Sequence, residues 1–167
     1  MVQVYTGDGK GKTTAALGLA LRASGQGLRV GVLQFMKGNP RCGEHRFLER
    51  FPAFALFQPA GSTVFGQSTE QRRLQSQHSL ELTRTLITEG KYDLLILDEV
   101  LTALSRGLIS VEQLLALVRG KPVDLELVLT GRGAPPEIIE AADLVTEMVK
   151  VKHPLERGIK ARRGLEF

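Results

Sequence analysis
Eleven residues near the N-terminus, Val4-Tyr5-Thr6-Gly7-Asp8-Gly9-Lys10-Gly11-Lys12-Thr13-Thr14, constrain this chain more than any other stretch. Three glycines alternate with polar residues, and the run closes on Gly-Lys-Thr-Thr just before an apolar helical pattern. The apolar segment Val2 to Tyr5 leads into it. A strand, a glycine-rich turn and a helix opening on Lys-Thr is the layout of a phosphate-binding loop. Glycines let successive backbone N–H groups converge on phosphate oxygens, and the helix N-terminus adds partial positive charge. In that layout the loop from Gly7 through Asp8, Gly9, Lys10, Gly11, Lys12 and Thr13 to Thr14 holds the nucleotide. Lys12 reaches the outer phosphates and the Thr13 hydroxyl meets a magnesium ion. The pattern G-x-x-x-x-G-K-[ST] places its first glycine where this chain has Thr6, so the loop is a variant whose early glycine is Gly7.

The rest of the chain reads as strands alternating with helices. Leu28 to Met36 and Tyr92 to Glu99 are short, nearly continuous apolar runs, the pattern of strands covered on both faces. Thr13 to Ser24 is apolar nearly all round, which predicts a helix buried against the sheet and ended by Gly25 and Gly27. Further strands are expected at Phe54 to Phe57, Leu125 to Leu129 and Leu144 to Val151. Further helices are expected at Glu44 to Arg50, Gln67 to Glu89, Ser110 to Arg119 and Pro135 to Ala142. Ser110 and Gln113 have the spacing of a capping box. In the helix from Gln67, Leu74, His78, Leu82 and Leu86 recur every four residues, which predicts that their face is buried and His78 packs within it. The whole implies a three-layer α/β fold with a mostly parallel central sheet of about six strands, one domain spanning 1–167.

The second signature is the Asp98-Glu99 pair that ends the run from Tyr92. Carboxylates there lie at the carboxyl edge of a parallel sheet, where ligands bind. Downstream of a phosphate loop, such a pair reads as the acidic side of a magnesium site. A phosphate loop establishes nucleotide use and leaves the reaction open. Hydrolysis, with Glu99 as a water-activating base, and phosphoryl transfer both remain compatible with the spacing, as does a regulatory nucleotide-binding module.

Composition narrows the partners. No apolar run approaches the ~20 residues needed to cross a bilayer, and the N-terminus lacks the layout of a signal peptide; a cytoplasmic location without a membrane partner is expected. The single cysteine, Cys42, leaves no internal disulfide or multi-cysteine metal site. The net charge of +4 sits in the last eighteen residues, where six basic side chains face two acidic ones. A basic tail on a neutral body argues against a broad nucleic-acid face; it is either a local anion-facing segment or a solvated tail.

Five stretches taken together resemble the ATP:corrinoid adenosyltransferases. They are TGDGKGKTTAA (Thr6 to Ala16), VLQFMKG (Val32 to Gly38), LILDE (Leu95 to Glu99), TGRG (Thr130 to Gly133), and the ending VKHP with GIKARRGLEF (Val151 to Pro154, Gly158 to Phe167). The resemblance spans nearly the whole chain, and the displaced glycine is typical of that family. It implies a P-loop NTPase-like, RecA-like fold and a reaction in which cobalt(I) of a reduced corrinoid attacks the 5′-carbon of ATP and expels triphosphate. By residue-level match, Thr13 and Glu99 are the leading magnesium candidates, with Asp98 supporting.

The same resemblance implies that Lys12 stabilises the departing triphosphate and that Lys37 and Glu44 contact substrate. Arg132 contacts a phosphate or a corrinoid side chain, or else is a turn arginine in a surface ion pair. Lys10 is either a second phosphate contact or an exposed loop lysine. Some relatives carry a Gly-Phe-Thr-Trp loop whose aromatics displace the lower cobalt ligand. This chain has Gly61-Ser62-Thr63-Val64-Phe65 there, so Phe65 either takes that role or packs under the loop. A homodimer and an electron-donating flavoprotein are the partners that the resemblance implies.

Overall fold
The computed structural model describes residues 1–36, 42–59 and 66–165. Six strands form one sheet: β1 (Val2–Thr6), β2 (Val30–Gln34), β3 (Ala55–Phe57), β4 (Leu94–Asp98), β5 (Glu126–Thr130) and β6 (Leu144–Glu147). Their order is β3-β2-β4-β5-β1-β6, and every pair is parallel. The phosphate-loop strand β1 therefore lies inside the sheet, between β5 and β6. Among the described residues no helix is long and apolar enough to cross a membrane.

Successive side chains of a strand point to opposite faces, and the central strands divide accordingly between two cores. On one face Val30, Val32, Leu94, Ile96 and Val128 meet Ala16, Ala20 and Ala23 of helix α1 (Lys12–Gly25). On the other face Leu33, Leu95, Leu97, Leu127 and Leu129 meet three helices. These are α3 (Thr69–Glu89), α4 (Val100–Ser105) and α5 (Val111–Gly120), which contribute Leu80, Leu101 and Leu114 among others. Burying each such leucine contributes about 1.5–3 kcal/mol.

One helical expectation holds in a narrower form and another needs correcting. The first helix is buried against the sheet as expected, but only along an alanine seam, and Leu21 stays 56% exposed. Alanine at the contact lets the helix backbone approach the strands closely. In α3 the buried face is Ser76, Ser79, Leu80, Thr83 and Leu86, so Leu74 and His78 are exposed. The Ser79 and Thr83 hydroxyls can be buried because they bond along their own helix. Ser79 Oγ donates to the Gln75 carbonyl at 3.0 Å and Thr83 Oγ1 to that of Ser79 at 2.8 Å.

The helix ends follow local chemistry. Ser110 caps α5 in a box with Gln113, as its spacing predicts, and Ser68 with Gln71 builds the same device on α3. Gly90 closes α3 in the left-handed conformation. Helix α4, absent from the sequence reading, begins directly after Glu99. Two short helices, α2 (Gly43–Arg50) and α6 (Pro136–Glu140), lie in the remaining connections. The last strand stops at Glu147 rather than Val151 and is exposed along its length at the sheet edge.

Candidate active site
Four strands end on a buried polar residue: Thr6 on β1, Gln34 on β2, Asp98 on β4 and Thr130 on β5. Buried polar groups must find hydrogen-bond partners; Thr6 Oγ1 accepts from the Ala134 N–H at 3.4 Å, and the other three find one another. Gln34 is paired with Asp98 across β2 and β4, so the two side chains leave the same face side by side. Asp98 Oδ1 accepts from Thr130 Oγ1 at 2.7 Å and from Thr13 Oγ1 at 2.8 Å. Asp98 Oδ2 lies 3.4 Å from the Gln34 amide nitrogen, which also donates to Glu44 Oε1 at 3.0 Å. Gln58, just past β3, donates to Gln34 Oε1 at 2.6 Å.

The loop after β1 wraps over this row. Gly7 and Gly11 have φ of 93° and 123°, a region that favours glycine. Gly9 is needed for a different reason: a Cβ there would lie 2.6 Å from the Met148 carbonyl oxygen. Its N–H donates to that same carbonyl at 2.6 Å, so the segment after β6 braces the loop from behind. Lys12, the first residue of α1, is 7% exposed and folds back, its ammonium donating to the carbonyls of Gly7 at 2.6 Å and Gly9 at 2.7 Å. An ammonium has three donors, which leaves one for a ligand. Burial, seconded by the nearby Arg132 guanidinium, holds the Lys12 pKa below its usual 10.5, against the opposing pull of Glu99 and Asp8.

Glu99 follows Asp98 with φ 62°, the only non-glycine with positive φ among the described residues. Its N–H donates to Thr130 Oγ1 at 2.9 Å, so one hydroxyl holds both acidic residues in place. The turn swings Glu99 out of the strand to line a cleft of about 750 Å³. The loop from Gly9 to Thr14 forms one wall of the cleft, Leu17, Leu21, Phe47 and Phe54 supply apolar surface, and Arg132 lines it beside the loop. Arg132 is exposed and lies 4.0 Å from the Asp8 carboxylate. Gly131 lets its turn pass close to α4, since a Cβ would come within 2.5 Å of the Thr102 nitrogen. The C-terminal segment completes the rim: His153 and Leu165 line the cleft, and Lys10 donates to the Leu165 carbonyl at 3.1 Å.

The structure thus brings Lys10, Lys12, Thr13, Thr14, Glu44, Glu99 and Arg132 to one cleft, with Asp98 beneath it. Lys37 and Phe65 lie outside the described residues. Sequence reasoning missed Gln34, Gln58, Thr130 and Met148. The first and third were readable as the polar residues closing apolar runs, VGVLQ and ELVLT; nothing local marks the other two.

The comparisons agree with this architecture. A KaiC-like protein from Pyrococcus horikoshii superposes with a TM-score of 0.54 over 87% of this chain and 70% of its own, at 15% identity, a likeness of fold alone. The corrinoid adenosyltransferase of Pseudomonas aeruginosa is 39% identical over 98% of this chain and 82% of its own length. That of Escherichia coli K12 is 33% identical, and corrinoid adenosyltransferase CobA of Salmonella typhimurium 34%, each over 100% of this chain and 85% of its own. The family described as ATP:corrinoid adenosyltransferase BtuR/CobO/CobP matches residues 1–167, and the chain belongs to it.

Proposed function
We propose that this cleft performs the family reaction as a grip on a leaving group. The 5′-deoxyadenosyl group of ATP passes to cobalt(I) of a reduced corrinoid. The cobalt–carbon bond forms with the electron pair of cobalt, the bond from C5′ to the triphosphate oxygen breaks, and its pair leaves with intact triphosphate. The nucleophile is strong, so the protein's part is alignment and stabilisation of the departing charge. Lys12, the loop N–H groups other than that of Gly9, and Arg132 are the donors for that charge. The observation that carries this reading is the buried Lys12 ammonium held beside the Thr13–Asp98 pair at the mouth of a phosphate loop.

Magnesium suits the donor set. Thr13 and Asp98 offer hard oxygens, and among the described residues no three His, Cys, Asp or Glu side chains converge as a cage. An ion that keeps phosphate and water ligands and takes one or two from protein matches that arrangement. When bound it would supply positive charge at the phosphates; Thr13 and Asp98 would hold it, with Glu99 beside them. Lys37, Glu44 and Phe65 are assigned to the corrinoid side. The exposed β6 edge, with Leu144 and Val145 on it, supports a homodimer. Generating cobalt(I) requires an electron donor, for which a flavoprotein is the candidate.

One assay tests the reaction: ATP, magnesium and chemically reduced cobalamin, followed by absorbance and phosphate analysis. Adenosylcobalamin with intact triphosphate is the expected product pair. ADP or orthophosphate as the main product would replace the reading with phosphoryl chemistry, and nucleotide binding without product would leave a binding module.

A further inference from the structure
Gln34 is fully buried at the end of β2, yet none of its three polar contacts is to its own strand. A glutamine amide has donors on nitrogen and an acceptor on oxygen. Here the nitrogen faces two carboxylates, Asp98 and Glu44, and the oxygen receives the Gln58 amide. The opposite orientation would turn the amide oxygen on both carboxylates, so the surroundings fix the rotamer. The two carboxylates belong to different parts of the cleft. Asp98 lies under the phosphate loop, bonded to Thr13. Glu44 is in the first turn of α2, a helix without one buried residue that nevertheless brings Phe47 to the cleft wall. Such a helix has little apolar contact to hold it, and polar contacts must do more of that work.

We propose that Gln34 is a positioning residue for adenosyl transfer. Its amide bridges Asp98 and Glu44, and so locks the α2 wall of the cleft to the floor that carries the nucleotide and its cation. This deepens the proposed function and rests on it for the roles of the two sides; the bridge itself rests on the geometry. It also accounts for why an apolar strand, VGVLQ, closes on an amide rather than on another aliphatic residue.

The test uses Gln34→Leu, which removes the bridge, and Gln34→Asn, which keeps the amide but shortens its reach and serves if the leucine variant does not fold. Hydrogen exchange of α2 amides reads the first arm of the bridge. Calorimetric titration of ATP at varied magnesium reads the second, and steady-state assays with cob(I)alamin read the consequence. Exchange across α2 should accelerate about tenfold while α1 and β4 stay unchanged. The magnesium concentration for half-maximal ATP binding should rise by about the tenfold typical of losing a partner behind a metal ligand. KM for cob(I)alamin should rise by more than kcat falls. Unchanged α2 exchange, an unchanged magnesium requirement, or a loss confined to kcat overturns the bridge. If the wild type makes no adenosylcobalamin while exchange and magnesium dependence shift as stated, the function reading fails and the bridge stands.

Discussion
Thr13 Oγ1 donates to Asp98 Oδ1 at 2.8 Å across 85 residues of chain. The bond joins the first turn of α1 to the end of β4, and Thr130 reaches the same carboxylate oxygen from β5. The phosphate loop is therefore registered against the sheet by hydroxyl groups on both sides of one carboxylate.

Weakening that carboxylate should separate cation binding from nucleotide binding. Asp98→Asn keeps the size but removes the charge, and we expect kcat/KM to fall by at least about 100-fold, the upper end for disturbed metal-site partners. ATP affinity in EDTA should change by less than about twofold, since the loop donors are untouched. Thr13→Ser, which retains the hydroxyl, should stay within a few-fold of wild type. Calorimetry with and without magnesium checks each value.

Lys12→Ala should lower turnover by about 10²–10³-fold, the scale of losing one preorganised charge donor, while circular dichroism remains that of the folded protein. The depressed Lys12 pKa adds a second signature. The ammonium is lost at a lower pH than an exposed lysine's, so ATP affinity should fall on an alkaline limb below the ordinary 10.5. Alkaline titrations should show this limb setting in below 10.5 in wild type and lack it in Lys12→Ala.

Two glycine substitutions should act in opposite directions. Gly9→Ala forces a Cβ to 2.6 Å from the Met148 carbonyl and 2.8 Å from that of Val149, both backbone atoms. Its expected outcome is loss of ATP binding, measured by titration. Gly18→Ala, in the body of α1, meets nothing within 4 Å. It should stabilise the protein by about 0.5–1 kcal/mol, read as a higher denaturation midpoint with unchanged activity.

At the opposite edge of the sheet the Arg29 guanidinium and backbone N–H hold the Asp93 carboxylate down to about pKa 2, from 3.8. A carboxylate with a lowered folded-state pKa lends stability above its unfolded value and loses it as pH falls through the folded one. The gap in thermal midpoint between wild type and Asp93→Asn should thus be full at pH 7 and shrink between about pH 4 and pH 2. Activity at pH 7 should be the same in both, because the pair lies at the amino ends of β2 and β4, away from the cleft.

The layered fold and the loop were legible because periodicity and glycine spacing are local properties. The face of α3 was not. Leucine spacing pointed to Leu74 and His78, whereas Ser79 and Thr83 go inside because their hydroxyls are satisfied within the helix. Helix α4 was missed because VLTALS carries neither a cap residue nor a long repeat. In the site, the residues bearing charge were found and those holding them were not. Gln34, Thr130 and the Met148 carbonyl act through pairings set by strand order, and strand order is a long-range property of the sheet.

Glu99 holds a left-handed backbone, a conformation that costs a non-glycine side chain about 1–3 kcal/mol unless its surroundings compensate. A redesign guided only by heat tolerance would choose glycine at this position, and that variant should melt later. It would also erase the carboxylate that the turn delivers to the cleft. Thermal ranking and catalytic ranking of variants should therefore run in opposite directions at residue 99, so a library sorted by melting temperature would discard the cleft-lining carboxylate there.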